Sequence, residues 1–108
     1  MMRVDSARLS EAINACFDLS MDNRLAADQR AGFLATGKRL RGSLLNLLTA
    51  QFNDGTQEVT DANGRLGQVA TLLADRARVL SDAADALDQA GRLVKILDDL
   101  LKIAAQFH

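Results

Sequence analysis

Apolar residues return at helical intervals along most of the chain, with polar residues filling the places between them. Leu9, Ile13, Cys16 and Phe17 share one stripe, which predicts a first helix over about 6–19, with Asp5 or Ser6 placed to cap its first turn. A polar stretch at Ser20 to Asn23 reads as a turn. A second helix is expected over about 23–52, where Ala26, Phe33, Leu40 and Leu47 recur every seventh residue and Leu44, Leu45 and Leu48 widen the stripe. Gly32, Gly37 and Gly42 weaken it locally; their spacing scatters them around the cylinder unless they mark a bend.

Asn53-Asp54-Gly55 combines residues that tolerate left-handed backbone with a helix-stopping glycine, so it reads as the next turn. Beyond it Leu66, Leu73, Leu80, Leu87, Val94 and Leu101 repeat every seventh residue. Val69, Ala83, Ala90, Leu97 and Ala104 form a second column, and Leu72, Val79, Leu93, Leu100 and Phe107 a flanking one. This pattern predicts one helix over about 56–107, with Asp75, Asp82, Asp85 and Asp88 mostly on its solvated side. Its apolar face is wider than a two-stranded seam needs, which favours three or more packed helices.

The expected fold is therefore all-α. It is a helical hairpin or bundle in a single domain, 1–108, with a short N-terminal helix, two long antiparallel helices and coiled-coil-like heptads in the last. Composition agrees, because 48% of residues are hydrophobic while proline, tryptophan and tyrosine are absent.

Length adds a functional expectation. At about 1.5 Å per residue the second helix would reach roughly 45 Å and the third about 75 Å, so the hairpin covers the third only to about Asp88. Leu93, Val94, Leu97, Leu100, Leu101, Ala104 and Phe107 would then overhang as an apolar face. Either the helix breaks at Gly91 and folds back, or that face pairs with another chain. The heptad phase runs through Gly91 without a slip and no turn cluster accompanies it, which favours pairing. The protein is then expected to act as a non-enzymatic interaction module of adaptor, chaperone or immunity type. Its partner would be itself, as a dimer or higher, or another helical protein. Arg76 interrupts the seam between Val69 and Ala83; it either sets register or reaches past the core edge to an aspartate.

Charge changes this picture only locally. The net charge is −1, yet Arg30, Lys38, Arg39 and Arg41 fall in a run from Gln29 to Asn53 that holds no acid. That basic surface is the alternative functional reading, as a nucleic-acid or anion site at Lys38, Arg39 and Arg41. Balanced charge and few aromatics speak against nucleic acid. A second alternative lays the C-terminal amphipathic helix on a membrane surface, which the acids Asp98 and Asp99 discourage. With no apolar leader and no run of about 18 apolar residues, a soluble cytoplasmic protein is expected.

Candidate chemistry is sparse. Residues 32–39 follow the phosphate-loop pattern until Arg39 stands where a hydroxyl should hold magnesium, and no strand precedes them. Gly37-Lys38-Arg39-Leu40-Arg41 resembles the GGKRLRP motif of trans-prenyl diphosphate synthases over about a dozen residues, which implies a diphosphate-type anion site at its three cations. The resemblance stops at Thr36 and Gly42, where that family has glycine and proline, and Asp98-Asp99 lacks the third aspartate of a DDxxD site. In size and turn position the chain is also similar to helical-hairpin secretion substrates with a WxG turn, but Gln51 to Gly55 contains no tryptophan. No metal or cofactor is called for. Cys16 is the lone cysteine and, from its stripe, a buried hydrophobe; His108 is the last residue. No nucleophile, base and orienter assemble, so no enzyme is expected.

Overall fold

The computed structural model describes residues 3–50 and 56–106, and all regular structure among them is helical. Five helices follow in order: α1 (Ser6–Ser20), α2 (Ala27–Leu47), α3 (Thr56–Ala74), α4 (Arg76–Ser81) and α5 (Ala83–Gln106). The expected turn at 53–55 lies outside the described residues, as do Phe107 and His108.

The four long helices form a bundle in which α1 packs on α2 and α3, and α5 packs on the same two. Thus α2 and α3, consecutive in the chain, stand on a diagonal. Directions follow from two end contacts. At one end the Asp5 amide donates to Asn63 Oδ1 at 2.8 Å and Asn63 Nδ2 donates to the Arg3 carbonyl at 3.1 Å; at the other Arg76 lies 3.8 Å from Asp18. Therefore α1 and α3 run parallel. Gly32 sits against Leu87 near the start of both α2 and α5, so these two run together in the opposite sense. Leu9, Ile13, Leu19, Phe33, Leu40, Leu66, Leu73, Leu93 and Leu97 fill the interior.

The third helix is not the continuous rod that periodicity suggests. It ends at Ala74, turns through α4 and returns as α5, and the reversal lies upstream of Gly91, an exposed residue within α5. Two aspartates make it. Asp75 Oδ1 accepts from the Arg78 amide at 3.2 Å and Asp82 Oδ1 from the Asp85 amide at 3.1 Å, each satisfying donors that a new helix start would leave unpaired. Ser81 Oγ closes the short helix by donating to the Arg78 carbonyl.

Because the two caps are seven residues apart, the heptad count continues across the break while the helix does not. The buried column does rotate. In α3 it is Val59, Ala62, Leu66, Val69 and Leu73; in α5 it is Ala83, Ala86, Ala90, Leu93, Leu97 and Leu100, with Leu87 and Leu101 displaced to the flank. Each leucine so buried contributes about 1.5–3 kcal/mol, whereas an interrupted backbone hydrogen bond costs about 1 kcal/mol, so the folded-back arrangement wins.

Helix α2 is also shorter than expected. Asp22 claims the residues after α1: its carboxylate accepts from the Arg24 amide at 3.0 Å and its carbonyl from the Leu25 amide at 3.1 Å. Leu25 is buried in place of Ala26, which is exposed, and Gln29 Oε1 accepts from the Ala26 amide at 3.1 Å to start the helix. An added Cβ at Gly37 would stand 2.9 Å from the Phe17 ring and 3.1 Å from Cys16 Cβ, so glycine permits the close approach of α1.

Candidate functional site

The face expected to overhang is consumed within the chain. Leu93, Val94, Leu97 and Leu100 are buried in the bundle and Leu101 is half-buried; the Ala104 side chain and Phe107 lie outside the described residues. The reason is the reversal at Asp75 and Asp82, which shortens the rod to a helix of α2's scale. Helix α5 spans about 36 Å and α2 about 31 Å, within a molecule 44 × 19 × 19 Å in extent.

Exposed leucines instead stand on α2 and at its C-terminal cap. Leu34, Leu45 and Leu48 are 40%, 65% and 54% exposed, although Leu45 and Leu48 were expected to widen the core stripe. They fall on a single outward row, 34, 38, 41, 45 and 48, alternating steps of four and three along the helix. Lys38 and Arg41 occupy its middle and are exposed. Phe33, Leu40 and Leu47 form the buried row, offset from it by a little over 100° around the helix. The helix is therefore apolar on two sides, which a single-stripe reading merges into one wide face. Leucine doublets at 44–45 and 47–48 do not announce the exposed set, because the doublet Leu72–Leu73 and the pair Leu93–Val94 are buried at both positions.

The three cations of the basic run are not brought together. Arg39 and Arg41 differ by two positions and leave the helix roughly 160° apart. Arg41 lies over the Phe17 ring of α1, with its guanidinium carbon 5.6 Å from the ring centre. Arg39 lines a shallow groove on the α5 side with Asn46, Asp98 and Leu101. No single anion could be gripped by all three. Near the C-terminus Lys102 lies 3.9 Å from Asp99, rather than pairing with Asp98 one turn earlier.

Among the described residues the most densely bonded polar group is Asp22, which periodicity passes over. Its side chain is only 5% exposed. Arg24 grips it with Nε at 3.0 Å and Nη2 at 2.8 Å, and Arg76 Nη1 approaches to 3.5 Å. Arg24's side-chain and then backbone hydrogen bonds hold the Asp22 carboxyl at about 2, the charges of Arg24 and Arg76 adding to them and burial opposing. Arg76 thus stands at the core edge, tying the start of α4 to Asp18 and Asp22 at the end of α1. Cys16 is buried, and desolvation pushes its thiol up to about 12, so it stays protonated and unreactive.

Among the described residues no group of histidine, cysteine, aspartate and glutamate side chains could hold a metal ion, and no helix is long and apolar enough to cross a membrane. No protein-family model, no curated protein and no solved structure matches the chain.

Proposed function

We propose that the protein is a non-enzymatic interaction module that docks an acidic amphipathic helix of another protein on the outward face of α2. The observation that carries this reading is the row Leu34, Lys38, Arg41, Leu45 and Leu48: large apolar side chains exposed at helix-pairing intervals, with cations between them and no acid. Leu34 to Leu48 covers about 21 Å of helix, the length over which a partner helix presents anchors at intervals of three and four. A second copy fits less well. Two fully overlapped α2 rows placed antiparallel around a two-fold axis bring Arg41 against its own equivalent, a like-charge contact that a glutamate on a foreign helix would replace with attraction.

A designed helical peptide with leucines at matching intervals and glutamates beside them tests this. Calorimetric titration is expected to show saturable binding that Leu45→Gln with Leu48→Gln removes, and that a lysine-for-glutamate version of the peptide does not reproduce. Equal binding of both peptides, or a dimer in sedimentation that Leu45→Lys dissociates, would replace the acidic partner with another occupant.

A further inference from the structure

Beyond the α2 surface, the structure assigns a second binding site: we propose that the cleft over α3 takes a small organic anion, a carboxylate or phosphate head on an apolar body. The cleft has a volume of about 610 Å³, within the range of small-molecule sites. Arg8 of α1, Arg65 of α3 and Arg78 of α4 line it, so three helices deliver guanidiniums to one concavity. The buried side chains of Val69 and Leu72 add apolar lining, and Gly67 leaves the wall open because an added Cβ there meets nothing within 4 Å.

Its electrostatics are opposite to those of the surrounding half of the chain, where aspartates dominate. Asp85 is the single carboxylate in the lining, against three guanidiniums. Arg8 lies 3.6 Å from Glu11, an exposed pair that water screens, and Arg65 Nη1 donates to the neutral Gln89 Oε1 at 3.3 Å. Among the described residues no carboxylate lies within ion-pair distance of Arg65 or Arg78. Three planar donors, two of them without a carboxylate partner, spaced around a concave surface with an apolar wall, suit a carboxylate or phosphate that brings its own hydrocarbon. Inorganic phosphate alone would leave that wall uncovered, and an alcohol would leave the guanidiniums unmatched.

Titration of the full-length, isotopically labelled protein with octanoate, octyl phosphate, octanol and inorganic phosphate, followed by amide and arginine Nε resonances, tests the site. Octanoate or octyl phosphate is expected to move the Gly67, Gln68 and Gln89 amides saturably, at least tenfold more tightly than octanol or inorganic phosphate. Arg65→Gln with Arg78→Gln is expected to weaken binding at least tenfold, Gly67→Leu to abolish it by filling the cleft, and Asp85→Asn to tighten it severalfold. Should the double arginine variant fail to fold, Gly67→Leu and Asp85→Asn decide. Octanol binding as well as octanoate, unchanged binding in Gly67→Leu, or no saturable shift overturns the proposal.

Discussion

Helices α5 and α2 carry the same kind of leucine-rich periodicity and end with opposite surfaces. Leu93, Leu97 and Leu100 of α5 all face the interior, whereas α2 sends Phe33, Leu40 and Leu47 inward and Leu34, Leu45 and Leu48 outward. The difference shows that apolar spacing says which residues share a side of a helix, while cover depends on where neighbouring helices stop and turn. The helix that seemed to lack a partner has one, because two aspartate caps return it to the bundle. The helix whose leucines were expected to share one inward stripe leaves three of them exposed.

Truncating one leucine from each helix is the most forceful way to break this comparison. Leu97→Ala is expected to destabilise by about 2–5 kcal/mol, since it leaves a cavity between α5 and its neighbours. Leu45→Ala should stay within about 0.5 kcal/mol of the parent, as its side chain is mostly in water already. Urea denaturation with both variants measures the contrast. Equal losses would mean that the α2 row is covered in the free protein.

A glycine pair sharpens the same contrast within α2. Gly37→Ala forces a Cβ against Cys16 Cβ, an atom fixed to the α1 backbone, so the helices must separate; about 1–3 kcal/mol of overpacking strain should exceed the roughly 1 kcal/mol gain in helix propensity. Gly42 meets nothing within 4 Å, so Gly42→Ala should show the propensity gain alone. Thermal denaturation should therefore move the two midpoints in opposite directions.

Caps come next in size. Asp75→Ala and Asp82→Ala should each cost about 1 kcal/mol, because each strands an amide that its carboxylate now receives. The double variant also removes what interrupts α3, so sedimentation at high concentration should reveal chains exchanging α5. A double variant as stable and as monomeric as its parent would deny the caps their part in the reversal.

The extent to which the fold was legible follows from these residues. The all-helical class, the first helix with its Asp5 cap and the burial of Cys16 are local consequences of stripe and cap chemistry, and sequence suffices for them. The reversal was hidden because Asp75 and Asp82 keep heptad spacing, so a count in sevens reads their caps as solvated positions. Arg76 in the seam was the visible irregularity, one residue after the first cap. The α2 surface was hidden differently, by adding outward leucines to an inward stripe. The cleft of Arg8, Arg65 and Arg78 joins residues from three helices and has no linear signature at all.

The smallest effect concerns the polar knot that fastens the two halves of this comparison, where α4 meets the α1–α2 turn. Asp22 is held at about 2, whereas an unfolded aspartate titrates near 3.9, so between these values the unfolded chain binds more protons than the folded one. Its contribution is therefore complete above about pH 4 and is lost as pH falls through about 2. Arg24 and Arg76 are 63% and 47% exposed, which limits the gain through screening. Asp22→Asn should lower stability at pH 7, and its deficit should shrink as acid protonates the parent. Urea midpoints of both proteins from pH 2 to 5 measure this. A deficit independent of pH would show that the residue's value does not lie in its charge.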